Sequence, residues 1–171
     1  MSLIQVATST VSGTSTNAVD LIGTTTDDVY MVAFSNLRGA NDNAIPYLKI
    51  LVGGSVDTSS NFRRANVEMK AYTSFTYNGY NAGQNFLYVT SGGTGTATGE
   101  TAEGIIHLYN FNDASQNNSG TIDTVTHTAQ AQTESWTGGF LHNVAQSSNG
   151  VQFLMSAGNI ASGTFTLYRV V

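Results

Sequence analysis

Three histidines, eleven carboxylates and one tyrosine-rich stretch are the groups in this 171-residue chain whose types and spacing could do chemistry. His107, His127 and His142 show neither His-x-His nor His-Glu-x-x-His spacing, the patterns that aim two ligands at one metal. A metal on a three-fold axis would need one histidine per chain, because symmetry supplies the others; the plainer reading is a satisfied or solvent-facing imidazole. His107 and His127 fall in alternating segments and could be cross-strand neighbours. The carboxylates invite a search for a glycosidase pair. The local pairs are Asp27 with Asp28 and Glu100 with Glu103, and Asp42 stands between Asn41 and Asn43. Each has the turn-like context in which Asp and Asn serve the backbone. Asn41-Asp42-Asn43 could hold calcium through oxygens but lacks an EF-hand pattern, and otherwise reads as a polar loop. Gly92-Gly93-Thr94-Gly95 has no following helix and no nearby Lys, so it is not read as a phosphate cradle. No nucleophile elbow, P-loop or dinucleotide fingerprint occurs. The residues nominate no catalytic group, no cofactor and no metal, and a glycan hydrolase has almost no support in them.

One stretch fits binding instead. Residues 72–80, YTSFTYNGY, set Tyr77 and Tyr80 around Asn78-Gly79, and Trp136 is the single tryptophan. Aromatic faces beside amides stack on sugar rings while the amides hydrogen-bond hydroxyls. Tyr77, Tyr80 and Trp136 are therefore the candidate contacts for a glycan or partner. The alternative is that they pack against the end of the fold or a neighbouring subunit.

The elements that must carry these residues are strands. Period-2 alternation runs through 3–10, 18–22, 29–37, 44–52, 65–74, 85–90, 104–111, 121–134, 151–155 and 164–171, separated by polar, glycine-bearing turns, and no amphipathic helix of convincing length is present. Residues 29–34 and 104–111 are apolar on both faces, which predicts burial inside the protomer and against a neighbour. In 65–74 the apolar face is Val67, Met69 and Ala71, and Asn66, Glu68 and Lys70 are assigned to water. Residues 75–84 read as an aromatic loop, and 91–99, SGGTGTATG, as the most mobile tip. The chain end reads as a hairpin of 151–155 with 164–171, and Asn149-Gly150 as the turn of another hairpin with 140–144. The expected fold is all-β, a jelly-roll-like antiparallel β-sandwich over 1–171 as one domain.

Composition narrows the partners. Charged residues are 10% of the chain, against about 25% in an ordinary globular protein. A net charge of -5 with six scattered basic residues, Arg63-Arg64 being the one adjacent pair, argues against nucleic acid. No apolar run reaches the roughly 20 residues of a membrane-spanning helix, so membrane insertion is not expected. The start, MSLIQVATSTVSG, lacks the basic and apolar regions of a signal peptide. Cysteine is absent, so packing or assembly must supply stability.

The run 158–168, GNIASGTFTLY, preceded by GVQFL at 150–154 and by Trp136-Thr137-Gly138-Gly139, resembles the C-terminal signature of a family of small virion proteins of tailed bacteriophages infecting marine bacteria and cyanobacteria. The likeness covers about the last third of the chain, and Arg169 departs from it where a Gly is expected. It implies a non-enzymatic virion structural protein, a capsid decoration, head fibre or tail appendage, that forms homotrimers and contacts other virion proteins. Host surface glycan is the further partner if the chain is instead a host-adsorption module. Any functional surface is expected in the loops at 38–43, 75–84 and 91–99.

Overall fold

The computed structural model describes residues 2–71 and 75–171; residues 72–74, the end of one expected strand and the start of the tyrosine-rich stretch, lie outside the described residues. Thirteen strands and no helix occupy the described part: β1 (Leu3–Val11), β2 (Ala18–Ile22), β3 (Tyr30–Gly39), β4 (Pro46–Val52), β5 (Ser55–Val56), β6 (Phe62–Lys70), β7 (Thr76–Gln84), β8 (Leu87–Tyr88), β9 (Ala102–Tyr109), β10 (Asn117–His127), β11 (Thr133–Ala145), β12 (Gly150–Met155) and β13 (Ile160–Val170). Every ladder is antiparallel. The large sheet has eight strands in the order β1-β13-β3-β9-β10-β11-β6-β7. The small sheet runs β2-β12-β4-β5, with β8 also on β4. The chain crosses repeatedly between them, giving the jelly-roll-like sandwich that the alternation predicts.

Alternation builds the core as expected at β3 and β9. Tyr30, Val32 and Phe34 point inward, as do Ile106 and Leu108. Asn36, in the left-handed region at φ 53°, forms a bulge between Phe34 and Leu37, so that Leu37 and not the amide faces in. The Tyr30 hydroxyl, though buried, accepts the backbone N–H groups of Thr25 at 3.0 Å and Thr26 at 3.1 Å, which fixes the preceding turn. From the small sheet, Val19, Leu21, Leu48, Ile50, Val151 and Phe153 complete one continuous apolar cluster.

Five readings of the sequence are corrected. The chain end is not a hairpin: β12 belongs to the small sheet and β13 to the large one, so 156–159 arches across the core. Phe153 and Phe165 meet from opposite sheets with ring centroids 4.9 Å apart. Nor does Asn149-Gly150 close a hairpin, since β11 and β12 lie in different sheets and Gly150 pairs with Ile22 and Leu51. Alternation gives a strand's two faces but not its partner, and an arch and a hairpin need the same pattern. Residues 75–84 are mostly strand, because β6 offers an edge to pair with and tertiary pairing overrides the glycine and asparagine content. The tip at 91–99 is pinned: Gly93, Thr94 and Gly95 are buried, and the Thr94 N–H donates to the Ala44 carbonyl at 2.9 Å. Its glycines make room, Gly92 against Glu134, Gly93 against Asn43 and Gly95 against Glu100. The fifth correction is the facing of β6. Phe62, Arg64, Asn66, Glu68 and Lys70 share the inner side, with Asn66 and Glu68 buried, and Val67 and Met69 turn outward.

Phe153 sits 5.5 Å from Phe34 as well as against Phe165. Phe153→Ala should lower stability by about 3–5 kcal/mol in urea melts. Leu154→Ala, one residue along on the outer side of the same strand, should cost much less, and equal losses would contradict the arch.

Candidate functional site

The three candidate contact residues do not share a surface. Tyr77 and Tyr80 sit on opposite faces of β7, since Tyr77 pairs with outward Val67 and Tyr80 with inward Arg64. Tyr77 is 84% exposed and Tyr80 38% exposed, whereas Trp136 is 3% exposed. What joins Tyr80 to Trp136 is Arg64. Its guanidinium carbon lies 4.2 Å from the Tyr88 ring centroid, 5.7 Å from that of Tyr80 and 5.9 Å from that of Trp136.

Local structure places this arginine. β6 aims Arg64 at the flank of the sandwich, where the large sheet overhangs the edge strand β8. The spacing of Phe86 and Tyr88 puts both rings on one side of that edge. Tyr47 on β4 stacks on Phe86 at 4.1 Å and meets Tyr88 edge-on at 5.1 Å. Rings of this kind offer their negative faces to a cation. Nη1 of Arg64 donates to Oε1 of Gln84 at 2.6 Å, and Nε is buried without a hydrogen-bond partner. Burial lowers the Arg64 pKa, with the facing tyrosines opposing it, and a guanidinium remains a cation regardless. Among the described residues no carboxylate lies within 4.0 Å of Arg64. The result is a partly exposed shelf, Tyr47, Tyr80, Phe86 and Tyr88 around a half-buried positive charge. Arg64, Tyr47, Phe86 and Tyr88 are not among the contacts that the sequence nominates. The available signals were the Arg63-Arg64 pair and the Phe86-x-Tyr88 spacing.

Deeper along the same inner face the groups are polar. Lys70 Nζ bridges Glu68 at 3.2 Å and Glu134 at 3.1 Å, and the Ser91 hydroxyl donates to Glu134 at 2.8 Å. The hydrogen bond to Glu134 is the main cause of a raised Lys70 pKa, so the pair is held as an ion pair rather than as nucleophile and acid. Asn66 Nδ2 and Oδ1, Thr126 Oγ1 and Trp136 Nε1 are buried there without partners among the described residues. The histidines are dispersed: His107 pairs with Thr121 and His127 with Thr133, so they are not cross-strand neighbours. Asn41 packs against Gly158 and Asn43 against Gly93, while Asp42 stays exposed. Among the described residues no group of three His, Asp or Glu side chains converges as a metal site.

The outer face of the large sheet is the other notable surface. Ala65, Gly79 and Gly139 lie in one transverse row and form the floor of an open trough, walled by Arg63 and Leu141 on one side and Val67 and Tyr77 on the other. Farther across, Leu3, Val29, Met31, His107, Tyr109 and Val170 line an apolar depression of about 540 Å³. Arg38, Arg63, Glu103 and Asp123 carry the formal charges of this face among the described strand residues.

His142, 1% exposed, lies with Nε2 3.5 Å from Asp57 Oδ2, and its Nδ1 has no partner. Burial lowers the His142 pKa, and the Asp57 charge only partly offsets this. The fold therefore favours neutral imidazole, while the unfolded chain takes up a proton near pH 6.5, about the ordinary histidine value. The stability it contributes is present above that pH and is lost as pH falls below it. Asp57 is also lowered: burial pushes its pKa up, but hydrogen bonds from Ser59 and Gln146 and the His142 charge outweigh it, so its own loss comes only in acid near its ordinary value of 3.8 and below. Urea midpoints should thus drop between about pH 7.5 and about pH 5.5, and His142→Gln should flatten that slope; an unchanged slope refutes the assignment.

A scan of family models finds no match to this chain, and comparisons with curated proteins and with solved structures find none either.

Proposed function

We propose that this chain is a non-enzymatic structural protein of a bacteriophage virion, of capsid-decoration, head-fibre or tail-appendage type, acting through packing as a homotrimer and against other virion proteins. The observation that carries the packing role is the outer face of the eight-stranded sheet. Eight strands about 4.8 Å apart span roughly 34 Å. Over some seven residues of strand that is about 800 Å², the share each partner contributes to a standard interface. Val29, Ile105 and Val125 are exposed on it, beside the depression lined by Met31 and Tyr109. A face this poor in charge is costly to leave in water and cheap to desolvate against another protein. Placement on a virion is supported by the resemblance of the run 158–168, which lies on β13 and the arch before it.

A second reading, a carbohydrate-binding host-adsorption module, is favoured by the Arg64 shelf, where Tyr80, Phe86 and Tyr88 present partly exposed rings next to the Gln84 amide.

Light scattering of the purified protein should give a trimer mass, and Val29→Asp with Met31→Asp should shift it to monomer while leaving the circular dichroism spectrum intact. Mass spectrometry should find the chain in purified particles. A monomeric wild type that is also missing from virions ends the structural reading. For the second, a glycan array should show binding that Tyr80→Ala abolishes, and an array with no signal removes it.

A further inference from the structure

The cations of this chain are not treated alike. Lys70 has two carboxylates, and Arg169 lies 3.7 Å from Asp28. Arg38 is half-buried, with its Nε unpartnered among the described residues, and donates to the Thr96 carbonyl. The aromatic rings set against a cation among the described residues, however, are all at Arg64. Arg64 is half-buried, and among the described residues one amide oxygen is the partner recorded for its five N–H donors. Holding a charge out of water without a counter-charge is costly. Ring faces repay part of this, but among the described residues they leave Nε without an acceptor and Gln84 as the one acceptor for Nη1. The nearest acid on the same face of β6, Glu68, is tied to Lys70.

We propose that the Arg64 shelf is a binding subsite for an acidic sugar, the guanidinium rim taking the carboxylate and the exposed Tyr80 ring, with Phe86 and Tyr88, taking the pyranose. The inference rests on the carbohydrate-binding reading and names its ligand chemistry. A planar fork matches a carboxylate in two parallel hydrogen bonds. One guanidinium balances one negative charge; a phosphate dianion would call for a second cation, and Arg63 points to the opposite face. A ring is needed because the shelf is mostly aromatic, and a small anion would leave those faces unused. Gln84, already fixed by Arg64, presents its amide nitrogen to a hydroxyl. The chain's net charge of -5 would repel a polyanion elsewhere, so an acidic glycan is steered to this positive spot.

Trp136 reports on the site, because it is the single tryptophan and lies 5.9 Å from Arg64. The fluorescence of the full chain is titrated with a hexamer of galacturonate, with the neutral galactose hexamer, with sodium acetate and with inorganic phosphate. The galacturonate hexamer should give a saturable change, weakened by added salt. Arg64→Lys, which keeps the charge and loses the fork, and Tyr80→Ala should each weaken binding about tenfold or more, the worth of one charge-assisted contact. Melting curves establish that each variant is folded, and Tyr80→Ala carries the test if Arg64→Lys is not. Equal binding of the neutral hexamer overturns the inference and leaves the carbohydrate reading standing. No binding of either hexamer overturns both. Acetate or phosphate binding as tightly as the hexamer, or binding that survives both substitutions, overturns the inference as well.

Discussion

The two sheets do not match in width. Eight strands face five, two of which are two-residue strands, so the small sheet cannot roof the inner face of the large one. Over β1, β13, β3 and β9 the roof is β2, β12 and β4, and the interior is aliphatic and aromatic. Beyond β10 the cover is the short strand β8 and the irregular segment that follows it to Gly95. Where this cover leaves the small sheet, the large sheet ties it down: the Thr124 hydroxyl donates to the Val89 carbonyl at 2.9 Å, and the Ser91 hydroxyl donates to the Glu134 carboxylate at 2.8 Å. The inner face there is accordingly threonine, asparagine and glutamate where a symmetric sandwich would use leucine.

That asymmetry also produces the shelf. At the last two strands even the irregular cover ends, and the inward residues of β6 and β7 meet the edge of the small sheet instead of its face. Arg64 suits such a boundary. Its stem and flat sides pack like an aromatic residue, while its rim still requires polar company. An aliphatic residue at this place would pack as well and would offer nothing to a ligand. The outer face of the large sheet follows a different logic. None of the described residues covers it, so its composition reflects what the molecule meets outside itself.

Much of the fold was legible in the sequence, because period-2 alternation at 29–34 and 104–109 reflects burial directly. The all-β class, the layered architecture and most strand positions follow from it. Three matters were not legible, for physical reasons. Alternation does not name a strand's partner, so Phe153 and Phe165 read as neighbours in a hairpin when they face each other across the core. Polarity misled at β6: Asn66 and Glu68 are assigned to water by type, yet both are buried, and Glu68 is accommodated there by its ion pair with Lys70. The shelf was invisible because Tyr80, Gln84, Phe86 and Tyr88 share the run 80–88 while Arg64 on β6 and Tyr47 on β4 are brought to them only by the fold. Tyr80 was found, for a reason that held only in part; Trp136 is beneath the shelf and not on it.

The order in which the strands join has a consequence in time. β13, the last strand, sits between β1 and β3, and Thr8 faces Thr166 across 158 positions of sequence. Ser2 and Val171 exchange backbone hydrogen bonds at 2.7 Å and 3.0 Å. During synthesis β1 therefore waits without β13, its ladder partner among the described strands, while the strands between them are made. Throughout that wait Leu3, Ile4 and Val6 belong to an uncharged, proline-free segment with two bare edges, the kind that pairs readily with a copy of itself. So distant a contact carries the largest loop-closure cost among the described ladders, which slows the joining of β1 to the large sheet. Yield from a fast expression system should be limited by that wait rather than by the stability of the finished sandwich.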